Sequence, residues 1–284
     1  MKLLLLDGRY PAAELAGFEV VDAPQQDVVA VLTMPEQAVG EELMSQLPAL
    51  RVVGTASVGF DHVDIEAAER RGVAVVSVPD YCTEEVADHT LALLYALLRG
   101  VVALDRSVAR GDWDAKAAGA LRTLAGLHVG IVGLGRIGGA VATRLLVLGA
   151  EVWATDVLPV ARDGVRFVEL DELVAECDVV TLHVPLTNET RGLLGRSAIA
   201  SMRPDALLVN TSRGGVVDVG AVLQALRGGR LGGAALDVLP QEPPPMAPIA
   251  PNLIITPHAA YYSEAAEERS YRLCIARVRD VLGA

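Results

Sequence analysis

The stretch HVGIVGLGRIG, residues 128–138, constrains the fold of this chain more than any other. A strand-forming run leads directly into Gly133, Gly135 and Gly138, and a helix-forming run follows. A glycine at the first position permits a tight turn, at the second lets a bulky anion approach the backbone, and at the third lets the helix lie close on the strand. Alone, such spacing is weak, because any glycine-rich turn can produce it. The next strand-like run, EVWATD, ends on Asp156, at the spacing of roughly 20 residues where a carboxylate accepts ribose hydroxyls. Strand, glycines, helix, strand and acid in register read as a dinucleotide-binding βαβ unit. An acid at that place repels a 2′-phosphate, and Val157 and Leu158 follow it where an arginine would be needed, so NAD is expected over NADP.

The same alternation runs along the whole chain. KLLLLD, DVVAVLT, LRVVGTAS and GVAVVSVP read as strands, with EQAVGEELMSQL and DIEAAERRG as helices between them, giving a small parallel-sheet domain over about the first 80 residues. EEVADHTLALLYALLRGVVALDRSVARGDW then reads as one long helical segment able to bridge two domains. From His128 the rhythm restarts with HVGIVG, EVWATD, RFVEL, DVVTLHVP, ALLVNTS, GGAALDVL and LIITPH, six or seven short strands that imply a doubly wound sheet. SEAAEERSYRLCIARVRDVL has no strand after it and is expected to pack back on the first domain.

Composition excludes several classes of function. A net charge of −12 repels phosphate backbones and anionic membrane surfaces, and the basic residues form no run, so nucleic acid is not expected as a partner. The longest apolar run, HTLALLYALL, is about half of what a bilayer crossing needs, and MKLLLLDG is too short for a signal-peptide core. Cys82, Cys177 and Cys274 are odd in number and widely spaced, which suits reduced thiols in the cytoplasm and neither a disulfide framework nor a zinc site. Glu85 and His89 have the i, i+4 spacing of a metal pair, but no second pair converges on them, and no metal site is expected.

A bound nicotinamide passes only a hydride, so the protein must supply a proton donor and a grip on the substrate. In a doubly wound sheet these should stand at the carboxyl ends of later strands. Arg213 after ALLVNTS, Glu242 after GGAALDVL and His258 closing LIITPH all do. Singly, each has a plain reading as a capping arginine, a solvated loop acid or a turn histidine. Together on one sheet edge they read as a site. Reduction of a carbonyl places negative charge on its oxygen, so a proton donor there, His258, must start protonated. An imidazole of ordinary pKa, about 6.5, is only partly charged at neutral pH, and a neighbouring carboxylate favours the charged form. The prolines of LPQEPPPM would hold Glu242 stiffly enough to orient the ring. Arg213, planar and always charged, can hold an anionic group and polarise a neighbouring carbonyl together.

GTASVGFDHVD, GVAVVSVPDYCTEEVADHTLALL, VGIVGLGRIGGAVA, LHVPLTNETRGLL, NTSRGGVVD, ALDVLPQEP and TPHAA occur in that order along nearly the whole chain. In these motifs the chain resembles the D-isomer-specific 2-hydroxyacid dehydrogenases, a family that includes phosphoglycerate dehydrogenases, glyoxylate and hydroxypyruvate reductases and the C-terminal-binding corepressors. The resemblance implies an α/β fold of two Rossmann-like domains with doubly wound parallel sheets. One is a discontinuous, flavodoxin-like substrate domain over residues 1–92 and 262–284, the other an NAD-binding Rossmann domain over residues 93–261, with the active site in the cleft between them. It implies Arg213 as substrate anchor, Glu242 as acid partner and His258 as acid/base, with backbone amides near Val58 and Gly59 holding the substrate carboxylate. Cofactor contacts are implied at Gly133, Gly135, Arg136, Ile137, Gly138, Asp156, Thr211, Ser212 and Asp237, the last meeting the nicotinamide carboxamide. A homodimer is implied through the linking helix, with Trp113 on the arm. Both ends are short for the family, so amino-acid feedback through an added regulatory domain is not expected.

The reading is therefore an NAD-dependent oxidoreductase interconverting a small D-2-hydroxy acid and its 2-oxo acid. The alternative is an NAD(H)-sensing, corepressor-like binding protein on the same fold with little turnover, a branch toward which PDYCTEEVADHT leans. An intact Arg, Glu and His set favours the enzyme, since a sensor has no need of a tuned proton donor.

Overall fold

The computed structural model describes residues 1–158 and 160–283; residues 159 and 284, one in each of the expected domains, lie outside the described residues. The chain divides into two compact units, Met1–Cys82 with Tyr262–Ala284, and Thr83–Tyr261.

The smaller unit opens with β1 (Lys2–Leu5), β2 (Glu19–Val21), β3 (Val28–Thr33), α1 (Glu41–Ser45), β4 (Val52–Thr55), α2 (Ile65–Arg71) and β5 (Ala74–Val76). Its five strands are parallel, in the order β2-β1-β3-β4-β5. Both faces are covered, which is why β3 and β4 are near-continuous runs of Val, Ala and Leu with no polar alternation. Asp64 caps α2 by accepting the Ala67 amide, and Gly72 in the left-handed region closes it.

The larger unit contains α3 (Thr83–Leu98), α4 (Val101–Ala109), β6 (His128–Val132), α5 (Arg136–Val147), β7 (Glu151–Thr155), β8 (Val165–Phe167), α6 (Leu170–Glu176), β9 (Val179–Leu182), α7 (Arg196–Ser201), β10 (Leu207–Asn210), α8 (Val219–Arg227), β11 (Gly233–Leu236) and β12 (Leu253–Ile255). Its seven parallel strands run β12-β11-β10-β9-β6-β7-β8. Alternate side chains enter opposite cores: Val129 and Ile131 pack with Leu94, Val141 and Leu145 of α3 and α5, whereas Val132 packs with Leu173, Ile199 and Val222 of α6, α7 and α8. The chain then returns to the smaller unit as α9 (Glu264–Leu282). α9 lies directly on β4: a Cβ at Gly54 would stand 2.5 Å from Val278 Cγ2, so this position admits no side chain.

Three local features differ from the sequence reading. The long helical segment is two helices, because Gly100 adopts φ +59° between α3 and α4. α1 is only five residues and begins after Gly40. β2 is a short, mostly exposed edge strand without the apolar run that marks the others. Residue 92, expected to end the first domain, falls inside α3, which clusters whole with the larger unit.

Candidate active site

The strand order of the larger sheet reverses between β6 and β9, the place where doubly wound sheets open a crevice at their carboxyl edge. Gly133 follows β6 directly; its φ of +90° turns the chain, and a Cβ there would lie 2.8 Å from the carbonyl oxygen of His183, the residue after β9. A Cβ at Gly138 would lie 2.0 Å from the Gly133 oxygen. Both glycines are thus required by the protein's own backbone. Gly135 is different: apart from its chain neighbours, no described heavy atom lies within 4 Å of where its Cβ would be. It is the N-cap of α5, and no side chain caps the first-turn amides there. A backbone that leaves room beside an uncapped helix N-terminus fits a dinucleotide's diphosphate.

Asp156, just beyond β7, is fixed by two amides, Leu134 N to Oδ2 at 2.6 Å and Leu158 N to Oδ1 at 2.9 Å. Each oxygen keeps a second lone pair for a ribose hydroxyl. Beyond β9, burial pushes the His183 imidazole down to about 3, so it stands neutral beside the glycine turn. Its Nε2 is 3.0 Å from Thr181 Oγ1.

The other candidates follow β10, β11 and β12 on the same edge. Ser212 is held by Asn210 Oδ1, which accepts its amide and hydroxyl at 3.0 and 2.8 Å. Arg213 is extended at φ −144°, its carbonyl accepts Asn210 Nδ2 at 3.0 Å, and its Nη1 donates to Ser212 O at 2.8 Å. The turn beginning at Gly214 presses on the chain after β11: a Cβ there would be 2.0 Å from the Leu239 carbonyl carbon. Leu239 in turn donates its amide to Glu242 Oε1 at 2.7 Å. Glu242 Oε2 meets His258 Nδ1 at 2.7 Å, and the two side chains are 36% and 35% exposed, so the pair is preorganised yet reachable. Tyr261 lies edge-on to the imidazole at 6.1 Å between ring centroids. The peptide bond after Glu242 is cis.

Opposing influences act on Glu242. Partial burial, the largest, pushes its carboxyl up, but the hydrogen bonds from His258 and the Leu239 amide, with the nearby charges of His258 and Arg213, outweigh it and hold it below its ordinary value. With Nδ1 engaged by Glu242, Nε2 is the ring atom left to exchange a proton.

Asp237 and Thr211 are more deeply placed than the sequence suggests. The Asp237 side chain is fully buried and accepts Thr256 Oγ1, the Ala259 amide at 2.9 Å and the Ala260 amide at 3.0 Å. Thr211 is buried with its hydroxyl 2.9 Å from that of Thr90. Sequence reasoning did not single out Thr256, although it stands two residues before His258, and nothing in sequence marks the Leu239 amide. In the smaller unit, Val58 and Gly59 follow β4 on a turn where Ser57 Oγ donates to Gly59 O at 2.6 Å. No group of three or more His, Cys, Asp or Glu among the described residues is placed to hold a metal ion.

A glycine turn at a helix N-terminus, an acid at the end of the next strand and a histidine–carboxylate pair lie on one sheet edge, the arrangement of a dinucleotide-binding fold that also carries a proton-handling pair. Residues 91–260 match the model for the NAD-binding domain of D-isomer specific 2-hydroxyacid dehydrogenases. The chain is 39% identical over 259 residues to a glycerate dehydrogenase of Methylorubrum extorquens, covering 87% of this chain and 80% of the relative. It is 41% identical over 256 residues to a glyoxylate reductase of Korarchaeum cryptofilum, covering 85% and 75%. A D-lactate dehydrogenase from Aquifex aeolicus, solved with NAD and lactic acid, superposes with a TM-score of 0.88 at 29% identity, covering all of this chain and 96% of the other. The chain belongs to the D-isomer specific 2-hydroxyacid dehydrogenase family.

Proposed function

We propose that the protein is an NAD-dependent dehydrogenase that interconverts a small D-2-hydroxy acid and its 2-oxo acid, with reduction of glyoxylate-like and hydroxypyruvate-like acids as the activity to test first. The observation that carries this reading is the 2.7 Å contact between His258 Nδ1 and Glu242 Oε2 on the same sheet edge as the glycine turn. Handedness follows from family membership, and the relatives named above support turnover over the alternative of an NAD(H) sensor.

When bound, NADH supplies the hydride for reduction and NAD⁺ accepts it in the reverse direction. Arg213 anchors the acid: its guanidinium can pair with the carboxylate and polarise the neighbouring carbonyl. Nε2 of His258 gives its proton to the oxygen that gains charge, and recovers one in the opposite direction. Glu242 accepts the Nδ1 proton, fixes the ring plane and compensates the charge His258 carries before donation. The Leu239 amide holds the carboxylate so that it turns one oxygen to the ring. Val58 and Gly59 retain the role the family likeness gives them, as amides for the substrate carboxylate. Gly133, Gly135, Arg136, Ile137, Gly138, Asp156, Thr211, Ser212 and Asp237 are assigned to the cofactor on the same footing, Thr211 and Asp237 from within the wall that supports it.

We also propose a cytoplasmic location and a homodimer. Cytoplasmic location accords with three free cysteines, and no described helix is long and apolar enough to cross a membrane. A homodimer accords with the exposed apolar side chains Val101, Val108 and Trp113 on and after α4, Trp113 being 91% exposed. The test is NADH oxidation with glyoxylate, hydroxypyruvate, pyruvate and longer 2-oxo acids. Rapid turnover of at least one short acid is expected, and uniformly negligible turnover with tight NADH binding would overturn the proposal in favour of the sensor.

A further inference from the structure

We propose that His89, on α3, is a positioning residue for His258, acting through Thr256 and Asp237; the inference rests on the assignment of His258 as acid/base. Thr256 Oγ1 donates to Asp237 Oδ1, so toward His89 Nε2, 3.2 Å away, it is the acceptor and His89 is the donor. A directed chain results, from His89 Nε2–H to the Thr256 hydroxyl to the buried carboxylate. His89 Nε2 is itself 3.6 Å from Asp237 Oδ1.

Asp237 grips the loop on both sides of the acid/base. Its carboxylate takes the amides of Ala259 and Ala260, and its carbonyl takes the His258 amide at 2.8 Å. These bonds help hold His258 at φ +52°, a left-handed conformation uncommon for residues other than glycine. A threonine hydroxyl is a free rotor whose hydrogen turns to suit its partners. By occupying a lone pair of that oxygen, His89 leaves the hydrogen aimed at Asp237. Its neighbour Thr90 makes a parallel tie, with Oγ1 donating to Val86 O at 2.7 Å and lying 2.9 Å from Thr211 Oγ1, two residues before Arg213. Adjacent residues of one helix thus brace the ends of the two strands that carry the anchor and the acid/base. His89 touches neither substrate nor reacting atoms in this account.

The test compares His89→Leu, His89→Gln and Thr256→Val by amide exchange in the dinucleotide-free protein and by steady-state kinetics. Loss of one net hydrogen bond corresponds to about a fivefold effect. In His89→Leu, exchange at His258, Ala259 and Ala260 should rise about five- to tenfold and kcat should fall by a similar factor, with KM for NADH within about twofold of wild type. Glutamine, which can donate from the same position, should restore most of both. Thr256→Val, which removes both bonds of the chain, should lose at least as much as His89→Leu, and the double variant should be no worse than Thr256→Val, because His89 acts only through that hydroxyl. Unchanged exchange in His89→Leu, a glutamine variant no better than leucine, or a loss confined to KM for NADH would overturn the inference. If His89→Leu does not fold, Thr256→Val carries the same expectations. Faster loop exchange in a protein that reduces no 2-oxo acid would leave the positioning role standing and sink the reaction; normal turnover with exchange and kcat unmoved would do the reverse.

Discussion

Replacing Glu242 by glutamine probes the proton-handling pair with almost no change in volume. Glutamine has one oxygen, and the Leu239 amide, 2.7 Å from Oε1, claims it. The amide nitrogen then faces His258 Nδ1, at the place where an oxygen now accepts at 2.7 Å. Two donors oppose each other whenever the ring is doubly protonated, so the form that gives up a proton is the one penalised. A hydrogen bond to a charged group contributes about 1.5–3 kcal/mol. Because both side chains are more than a third exposed, the lower part of that range applies, about 1.5–2 kcal/mol. At about 1.4 kcal/mol per factor of ten, kcat for reduction should fall roughly 10- to 30-fold. Affinity for NADH should not change. The assay is the steady-state loss of NADH absorbance with the best 2-oxo acid, alongside a fluorescence titration of NADH binding. A Glu242→Gln enzyme within about twofold of wild type in kcat would refute the reasoning, as would a loss lying wholly in NADH affinity.

Three other outcomes are expected. The depressed Glu242 carboxyl binds protons more weakly in the folded chain, so its stabilising contribution is complete above the ordinary value of 4.5 and disappears as pH falls through the lower folded value; the gap in melting temperature between wild type and Glu242→Gln should therefore begin to narrow as pH falls below 4.5 and go on narrowing with further acidification, and a gap that stays constant or widens on acidification would contradict this. Gly135→Ala should fold and melt like wild type yet bind NADH at least tenfold more weakly, since its methyl enters space the protein leaves open, whereas Gly138→Ala, whose Cβ would stand 2.0 Å from the Gly133 oxygen, should lose stability by several kcal/mol; equal behaviour of the two on thermal melting would contradict the distinction. Asp156→Ser should relax the preference for NADH over NADPH in kcat/KM, and unchanged discrimination would remove the role given to that carboxylate.

What could be read from sequence here was mainly what depends on nearest neighbours along the chain. GLGRIG had meaning because a strand preceded it and a helix followed, and EVWATD supplied an acid at the right distance. The ends of β10, β11 and β12 pointed to Arg213, Glu242 and His258 because parallel strands deliver their carboxyl ends to one edge. Features that depend on contacts remote in sequence were not legible. The Leu239 amide that fixes Glu242 carries no side-chain signature, and the left-handed backbone of His258 comes from bonds to Asp237, 21 positions earlier. The family resemblance marks Asp237 as a cofactor contact, but nothing in the sequence shows that its carboxylate is wholly buried under the loop it braces. Gly100 inside an apolar run reads as tolerated in a helix, whereas its positive φ ends one helix and starts another. β2 was missed because an exposed edge strand of three residues has no buried face to impose a pattern.

The most direct measurement is a crystal structure of the protein with NADH and oxamate, an unreactive mimic of a short 2-oxo acid. The account predicts His258 Nε2 and the Arg213 guanidinium both within hydrogen-bonding distance of the bound acid, with Glu242 still on Nδ1. An acid bound without either side chain, or an imidazole turned so that Glu242 no longer holds Nδ1, would contradict it.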